Sequence, residues 1–276
     1  MAQVFIGSEA FAAGTVSKYD LRARYRRVLP DVYIAKGAPL SLRDRTVAAW
    51  LWSRRRGVIS GVAASALHGA RWVDDDAVIE LNWPGRKSPP GVTARNETLL
   101  DAEISSRAGV SVTSIPRTAF DLARRGPSGQ AVERLDALAA VTNFAVQDVL
   151  DIAANHPHVK GLLRVGGLLE QVDAGAQSPR ETWLRLLLIE AGLPRPETQI
   201  PVPRLDGYSH YFLDMGWRDV MVAVEYDGEQ HRVDRNIYRD DLARSEYIAH
   251  VGWRRIRVIA GHRKTDIVRR VRQAWP

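Results

Sequence analysis

The sequence predicts a mixed α/β (α+β) fold. Three observations lead to it. Apolar runs of strand length recur, such as 222–224 and the alternation through 253–259. Longer segments with helical spacing of apolar residues separate them, such as 41–55 and 178–192. Gly, Pro, Asn and Asp punctuate the joins, which is how strands and helices of a layered α/β chain are delimited. A chain of 276 residues is long enough for a sizeable core and for two or three domains.

The elements follow in chain order. Residues 8–14 read as a short helix stopped by Gly14, and Thr15 or Ser17 caps the next one, 18–24. Two short helices joined near a glycine form a helix-turn-helix candidate. Residues 26–29 and 32–35, around Pro30-Asp31, then make a two-stranded wing. This arrangement sets Ser17, Lys18, Tyr19 and Arg22 at a DNA groove and Arg26 and Arg27 on backbone phosphate. The alternative is a small helical cap with a solvated basic face.

A helix is expected over 41–55, with Arg54-Arg55-Arg56 in its last turn, where cations suit the helix dipole. A short buried strand at 58–59 leads to a helix over 60–68 stopped by Gly69, with His68 as a packed or capping histidine. Strands at 77–81 and 91–94 flank a Pro/Gly loop, and another lies at 110–113. Pro116 opens a helix to Arg125 with Asp121 on one face. Helices follow at 129–141, 145–154 and 160–173, with His156 and His158 in a plain loop. Residues 174–177 form a boundary. Ser178-Pro179-Arg180-Glu181 then caps and opens a helix, strands follow at 198–202, 208–216 and 220–226, and helix 234–250, strand 253–259 and helix 266–275 complete the chain. Three regions are therefore expected: 1–38, 39–174 and 175–276.

The net charge of +7 is unevenly spread: residues 1–57 carry a surplus of +7, residues 253–276 another +7, and the middle −7. Basic ends suit a polyanion, because phosphate contacts dominate nucleic-acid affinity; a solvated surface is the plainer reading. The absence of cysteine excludes disulfides, zinc–thiolate sites and thiol nucleophiles, and fits a cytoplasmic location. No apolar run approaches the ~20 residues of a membrane span, and residues 1–6 lack the basic-then-apolar pattern of a signal peptide.

Chemistry concentrates in the last third. Glu225 and Asp227 are two apart on one strand and so share a face, and Asp214 on the preceding strand of a hairpin lies within one or two residues of register of Glu225. Clustered carboxylates at buried strand ends need a neutralising cation or proton. An oxygen-only set points to Mg²⁺ or Mn²⁺, held by Asp214, Glu225 and Asp227, which would orient a water and lower its pKa beside a scissile phosphate. Glu181 is either a fourth acid there or a helix N-terminal charge. Gln230 lies beside His231, a candidate base or phosphate donor, and Arg244 and Arg257 are candidate phosphate ligands. Ordinary ion pairs of the acids with Arg244, Arg255 or Arg257 are the alternative.

Ser178 to Glu181, Gly192-Leu193-Pro194, Gln199, Leu213 to Trp217, Val224 to His231, Asp241 to Arg244 and Gly252-Trp253-Arg254 stand in an order that resembles the endonuclease-like domains related to very-short-patch-repair nucleases, within the PD-(D/E)XK superfamily. The resemblance covers roughly 175–276. It implies a restriction-endonuclease-like mixed-sheet domain and Mg²⁺-dependent cleavage of DNA, with Glu181, Asp214 and Glu225 in the acidic roles. Where that pattern has the lysine of Glu-x-Lys, this chain has Asp227, so the lysine's role falls to Gln230 or His231 or is lost. Residues 15–35, Val58-Ile59-Ser60, Ala64 to Gly69 and Val112 to Ala123 are similar to AbiEi-type antitoxins of type IV toxin–antitoxin systems. That similarity implies a winged helix that represses its own operon, followed by an α/β domain. DNA is the expected partner, with a homodimer and a toxin or operon partner beside it. The leading expectation is a metal-dependent DNA endonuclease, and the alternative is a non-enzymatic repressor whose nuclease fold only grips DNA.

Overall fold

The computed structural model describes residues 4–84, 87–227 and 235–276, the side chains of 235–240 excepted. Eleven α-helices and three sheets are present among them, a mixed α and β fold. The chain divides into two compact units, 1–170 and 171–276.

The first unit begins with β1 (Phe5–Ile6), α1 (Gly7–Ala12), α2 (Lys18–Arg24), β2 (Tyr25–Leu29) and β3 (Val32–Ala35). Ser17 caps α2 in a reciprocal capping box with Asp20. The wing is an antiparallel pair, Arg26 opposite Ile34 and Arg27 opposite Tyr33. Its third strand, β1, pairs Phe5 with Tyr33 and departs from the expected two-stranded wing, because a two-residue strand carries no periodicity.

Next come α3 (Leu42–Trp52), β4 (Val58–Ser60), α4 (Gly61–Leu67), β5 (Ile79–Asn82), β6 (Val92–Arg95), β7 (Ile104–Arg107), β8 (Val110–Thr113), α5 (Ile115–Arg124), α6 (Ser128–Thr142), α7 (Val146–Asn155) and α8 (Val165–Leu169). The five-stranded sheet runs β6-β5-β4-β8-β7, with β4 parallel to β8 and β5 parallel to β6. Helix α3 ends before the Arg54-Arg55-Arg56 run. Arg54 and Arg55 instead take left-handed backbone, φ 56° and 62°, and pair with Asp31 at 2.7 Å and Glu9 at 2.6 Å. The expected helix over 160–173 is reduced to α8 behind a short 3₁₀ turn. Gly161 there has φ 86°, and a Cβ on it would fall 2.2 Å from the Arg124 carbonyl oxygen.

One hydrophobic core joins the two sheets of this unit: Ile6, Val32 and Ile34 pack in the same cluster as Ala49, Ile59, Leu81 and Val112. Region 1–38 therefore shares its core with α3 and the five-stranded sheet. Behind the larger sheet lies a buried ionic network. Arg117, 1% exposed, pairs with Glu97 and Glu103 and lies 3.4 Å from Asp121, while Arg124 and Arg125 pair with Glu97 and Asp121. His156 belongs to this network and not to a plain loop: its Nε2 is 2.7 Å from Glu103 Oε1 and its ring stacks on Phe120. His68 caps α4 with Nε2 at 2.8 Å from the Thr113 carbonyl, as expected of a capping histidine.

The second unit holds α9 (Pro179–Glu190), β9 (Glu197–Pro203), β10 (His210–Trp217), β11 (Val222–Asp227), α10 (Arg235–His250), β12 (Arg254–Ile259) and α11 (Lys264–Ala274). This is the α-β-β-β-α-β-α order the sequence predicts. The sheet runs β12-β11-β10-β9, antiparallel except for the β11–β12 pair. On one face Leu184, Leu188, Met215, Val222, Val224, Val258 and Ile267 form a core under α9 and α11. On the other, Ile200, Leu213 and Ala223 pack against Ile248 of α10. The segment before α9 is tied down as well. Arg185 donates to the Gln171 carbonyl at 2.7 Å, Arg195 to that of Val172 at 2.7 Å, and Thr198 to the Asp173 carboxylate at 2.8 Å.

Candidate metal and nucleic-acid site

The hairpin register sets up the acidic cluster. Met215 pairs with Val224, so Asp214 and Glu225 are each the next residue beyond the last paired position. There the ladder opens, and the Asp214 carboxylate takes the N–H of Tyr226 at 2.9 Å in place of a main-chain carbonyl. Across Asp214 on the other side, β9 pairs Ile200 with Leu213 and Thr198 with Met215. Between them Gln199 has φ 50°, so the backbone is irregular on both sides of this carboxylate.

Glu181 comes from the first turn of α9. Its Oε1 accepts from the Ser178 hydroxyl at 2.9 Å and its Oε2 from the Gln177 N–H at 2.9 Å, while the Ser178 oxygen caps the Glu181 N–H. It is thus both a capping acid and a near neighbour of Asp214. Burial pushes the Asp214 carboxyl up to about 6, and the negative charge of Glu181 adds to that push, against the Tyr226 N–H bond. Burial likewise raises Glu181. It raises Glu225 too, against the pull of Arg244 and Arg255.

Glu225 is 5% exposed and doubly paired. Its Oε1 accepts from Arg244 of α10 at 2.7 Å, and its Oε2 lies 3.1 Å from Arg255 of β12. Asp227, two residues on, faces Arg257 at 4.0 Å, and Arg257 bonds Asp241. The ion-pair alternative thus describes Glu225 and, loosely, Asp227. Sequence reasoning marks Arg255 only as such a partner. Its signal is the alternation of Arg255 and Arg257 on one strand, which the structure sets in register with Ala223 and Glu225. Among the described residues, no group of three His, Asp or Glu converges as a ready metal cage. Gln230 and His231 lie outside the described residues.

In the first unit, Lys18, Tyr19, Arg22 and Arg27 are exposed on α2 and β2, and Tyr19 is 77% exposed. Two of the expected DNA contacts are engaged elsewhere. The Ser17 hydroxyl is in the capping box, donating to Asp20 at 2.6 Å, and the half-buried Arg26 donates to the Ala38 carbonyl at 3.0 Å.

No protein-family model matches the chain. Two curated proteins of Mycobacterium tuberculosis are similar to it, uncharacterized protein Rv2248 (strain ATCC 25618 / H37Rv) and uncharacterized protein MT2308 (strain CDC 1551 / Oshkosh). Each is 28% identical over 191 residues, covering 69% of this chain and 69% of the relative. A solved structure, the RV2827C protein of Mycobacterium tuberculosis, aligns over 73% of this chain and 84% of its own at 14% identity and a TM-score of 0.43.

Proposed function

We propose that the chain is a cytoplasmic DNA-binding protein whose second unit hydrolyses DNA phosphodiesters with Mg²⁺ or Mn²⁺. The observation that supports this reading is Asp214. It is a largely buried carboxyl at the open end of a strand pair, raised to about 6 by burial and by Glu181, with Glu225 next across the gap. Acids held at that cost are a mark of function, and an oxygen-only set fits a hard divalent cation. Asp214, Glu225 and Asp227 would hold the ion, with Glu181 beside them. When bound, it supplies an activated water and neutralises charge on the scissile phosphate. The chain's own part is to orient: Tyr226 N–H fixes Asp214, Ser178 and Gln177 fix Glu181, and Arg257 with Arg244 meets the phosphate. The role of the missing lysine falls to Gln230 or His231, or is lost. Exposed Lys18, Tyr19, Arg22 and Arg27 bring DNA to the first unit. A homodimer or a toxin partner would follow from the antitoxin resemblance.

The test is direct. Purified protein with Mg²⁺ or Mn²⁺ is expected to nick or cut supercoiled, linear or mismatched DNA, and the doubly substituted Asp214→Ala, Glu225→Ala chain to lose cutting while keeping its circular dichroism. Intact DNA in every case overturns the reading.

A second reading is supported by the double pairing of Glu225 and by Asp227 at the lysine position. In it the chain is a non-enzymatic repressor of its own operon, and the nuclease-like unit grips DNA through Arg244 and Arg257. Footprinting on its own promoter distinguishes it: protection without cleavage supports it, and no protection removes it.

A further inference from the structure

Resting on the metal-site reading, we propose that Arg244 and Arg255 are exchangeable counter-ions of Glu225, released to DNA phosphate when a divalent cation takes the carboxylate. Both oxygens of Glu225 are engaged, Oε1 by Arg244 at 2.7 Å and Oε2 by Arg255 at 3.1 Å. A cation that takes Glu225 therefore competes for the carboxylate with two guanidinium charges, and their repulsion favours displacement of a guanidinium. A displaced guanidinium needs a new anion, because a buried charge stripped of its partner is costly. Among the described residues the neighbouring acids are otherwise committed: Asp241 is engaged by Arg257, and Asp214 and Asp227 belong to the proposed metal site. The remaining acceptors are neutral, the Phe212 carbonyl for Arg244 and the Ser245 hydroxyl for Arg255.

A phosphodiester meets that need. Its two non-bridging oxygens match the guanidinium fork, which is why arginine is favoured for phosphate. The Arg244 side chain is 27% exposed and the Arg255 side chain 9%, so Arg244 is the one positioned to swing outward and meet the phosphate first. Burial already depresses the Arg255 pKa, which agrees with its dependence on a close anion. Metal and DNA then raise each other's affinity by the same factor, since each relieves the cost of binding the other. Without DNA, the arginines hold the site in a charge-balanced, low-affinity state.

Mn²⁺ binding to the full chain, followed by the paramagnetic signal of free Mn²⁺ and corrected for Mn²⁺ bound by DNA alone, tests this. The wild type is expected to bind Mn²⁺ about tenfold more tightly with a short DNA duplex than without it. Arg244→Gln should bind Mn²⁺ more tightly than wild type in the absence of DNA and show a smaller gain on adding DNA. If wild type binds Mn²⁺ equally with and without duplex, and Arg244→Gln changes nothing, the arginines are static and the proposal fails while the metal-site reading stands. If neither chain takes up Mn²⁺ under either condition, the metal-site reading fails and takes this proposal with it. The wild-type comparison needs no variant, so a misfolded substitution does not blunt it.

Discussion

The Asp214 carboxylate accepts the main-chain N–H of Tyr226 at 2.9 Å where β10 and β11 cease to pair. A side chain thus stands in for a carbonyl, and the strand pair opens around an acid. The hydrogen bond favours the ionised form, yet burial and Glu181 outweigh it and raise the carboxyl to about 6.

This geometry makes Asp214 a stability burden at neutral pH in the absence of divalent cations. A carboxyl whose folded pKa is raised contributes stability below its unfolded value near 3.8, and loses it as pH rises through about 6. Asp214→Asn, which keeps an acceptor for Tyr226 N–H, should therefore raise the unfolding free energy at pH 7 by on the order of 2 kcal/mol. The gain should vanish by pH 4. Urea titrations in chelator at the two pH values measure it, and equal stability at pH 7 would contradict the raised carboxyl.

Glu97 behaves in the opposite sense. Burial works against its charge, but hydrogen bonding to Arg124 and the charges of Arg125, Arg124 and Arg117 lower its pKa to about 2. Its contribution is present above the unfolded value of 4.5 and is lost as pH falls towards 2. Glu97→Gln should cost stability at pH 7 and flatten the acid limb between those values. Thermal unfolding across that pH range is the measurement.

Arg117, 1% exposed at the centre of the ionic network, is sensitive to substitution. Truncation to Met takes the buried Glu103 carboxylate's arginine away and leaves it His156, while Asp121 keeps Arg124 and Arg125. Removing one partner of a buried ion pair costs about 3–5 kcal/mol. Arg117→Met is expected to unfold the first unit at markedly lower urea, whereas substituting the surface-paired Arg218, half-exposed against Glu197, should change little.

The basic residues of the first unit should separate by role. Arg22→Ala and Arg27→Ala are expected to weaken DNA binding across sequences and to lower the salt slope by about one each. Arg26→Ala should instead lower stability by about 1 kcal/mol, because its guanidinium bonds the Ala38 carbonyl. Fluorescence anisotropy at several salt concentrations, beside melting curves, resolves the two effects.

Much of the fold was legible in the sequence where a local signal had a single interpretation. Ser178, and Ser17 of the pair Thr15 and Ser17, announced their helices through capping chemistry, and both caps form. Apolar runs located β10, β11 and β12 to within two residues. β1 and β7 were not legible. One is two residues long, and the other, Ile104–Arg107, is largely polar and exposed because it edges its sheet. Of the site, the shared face of Glu225 and Asp227 and the closeness of Asp214 followed from strand period and hairpin connection. The pairing of Glu225 with Arg244 and Arg255 stood there only as an alternative, because which arginine reaches it depends on where α10 crosses the sheet, a tertiary fact that no local pattern encodes. The same holds for His156, whose place beside Glu103 comes from a helix packing 53 positions away in sequence.

The ties from Arg185, Arg195 and Thr198 to residues 171–173 also bear on how this protein can be taken apart and recombined. Residues 171–173 precede the Ala174–Gln177 stretch that looks like a linker, yet they accept hydrogen bonds from Arg185, Arg195 and Thr198 of the second unit. A graft of the second unit onto another chain that began at the apparent linker would discard acceptors for two arginines, one of them fully buried. The portable cassette begins at Gln171, and its joint with any host lies upstream of the glycine and alanine that advertise one.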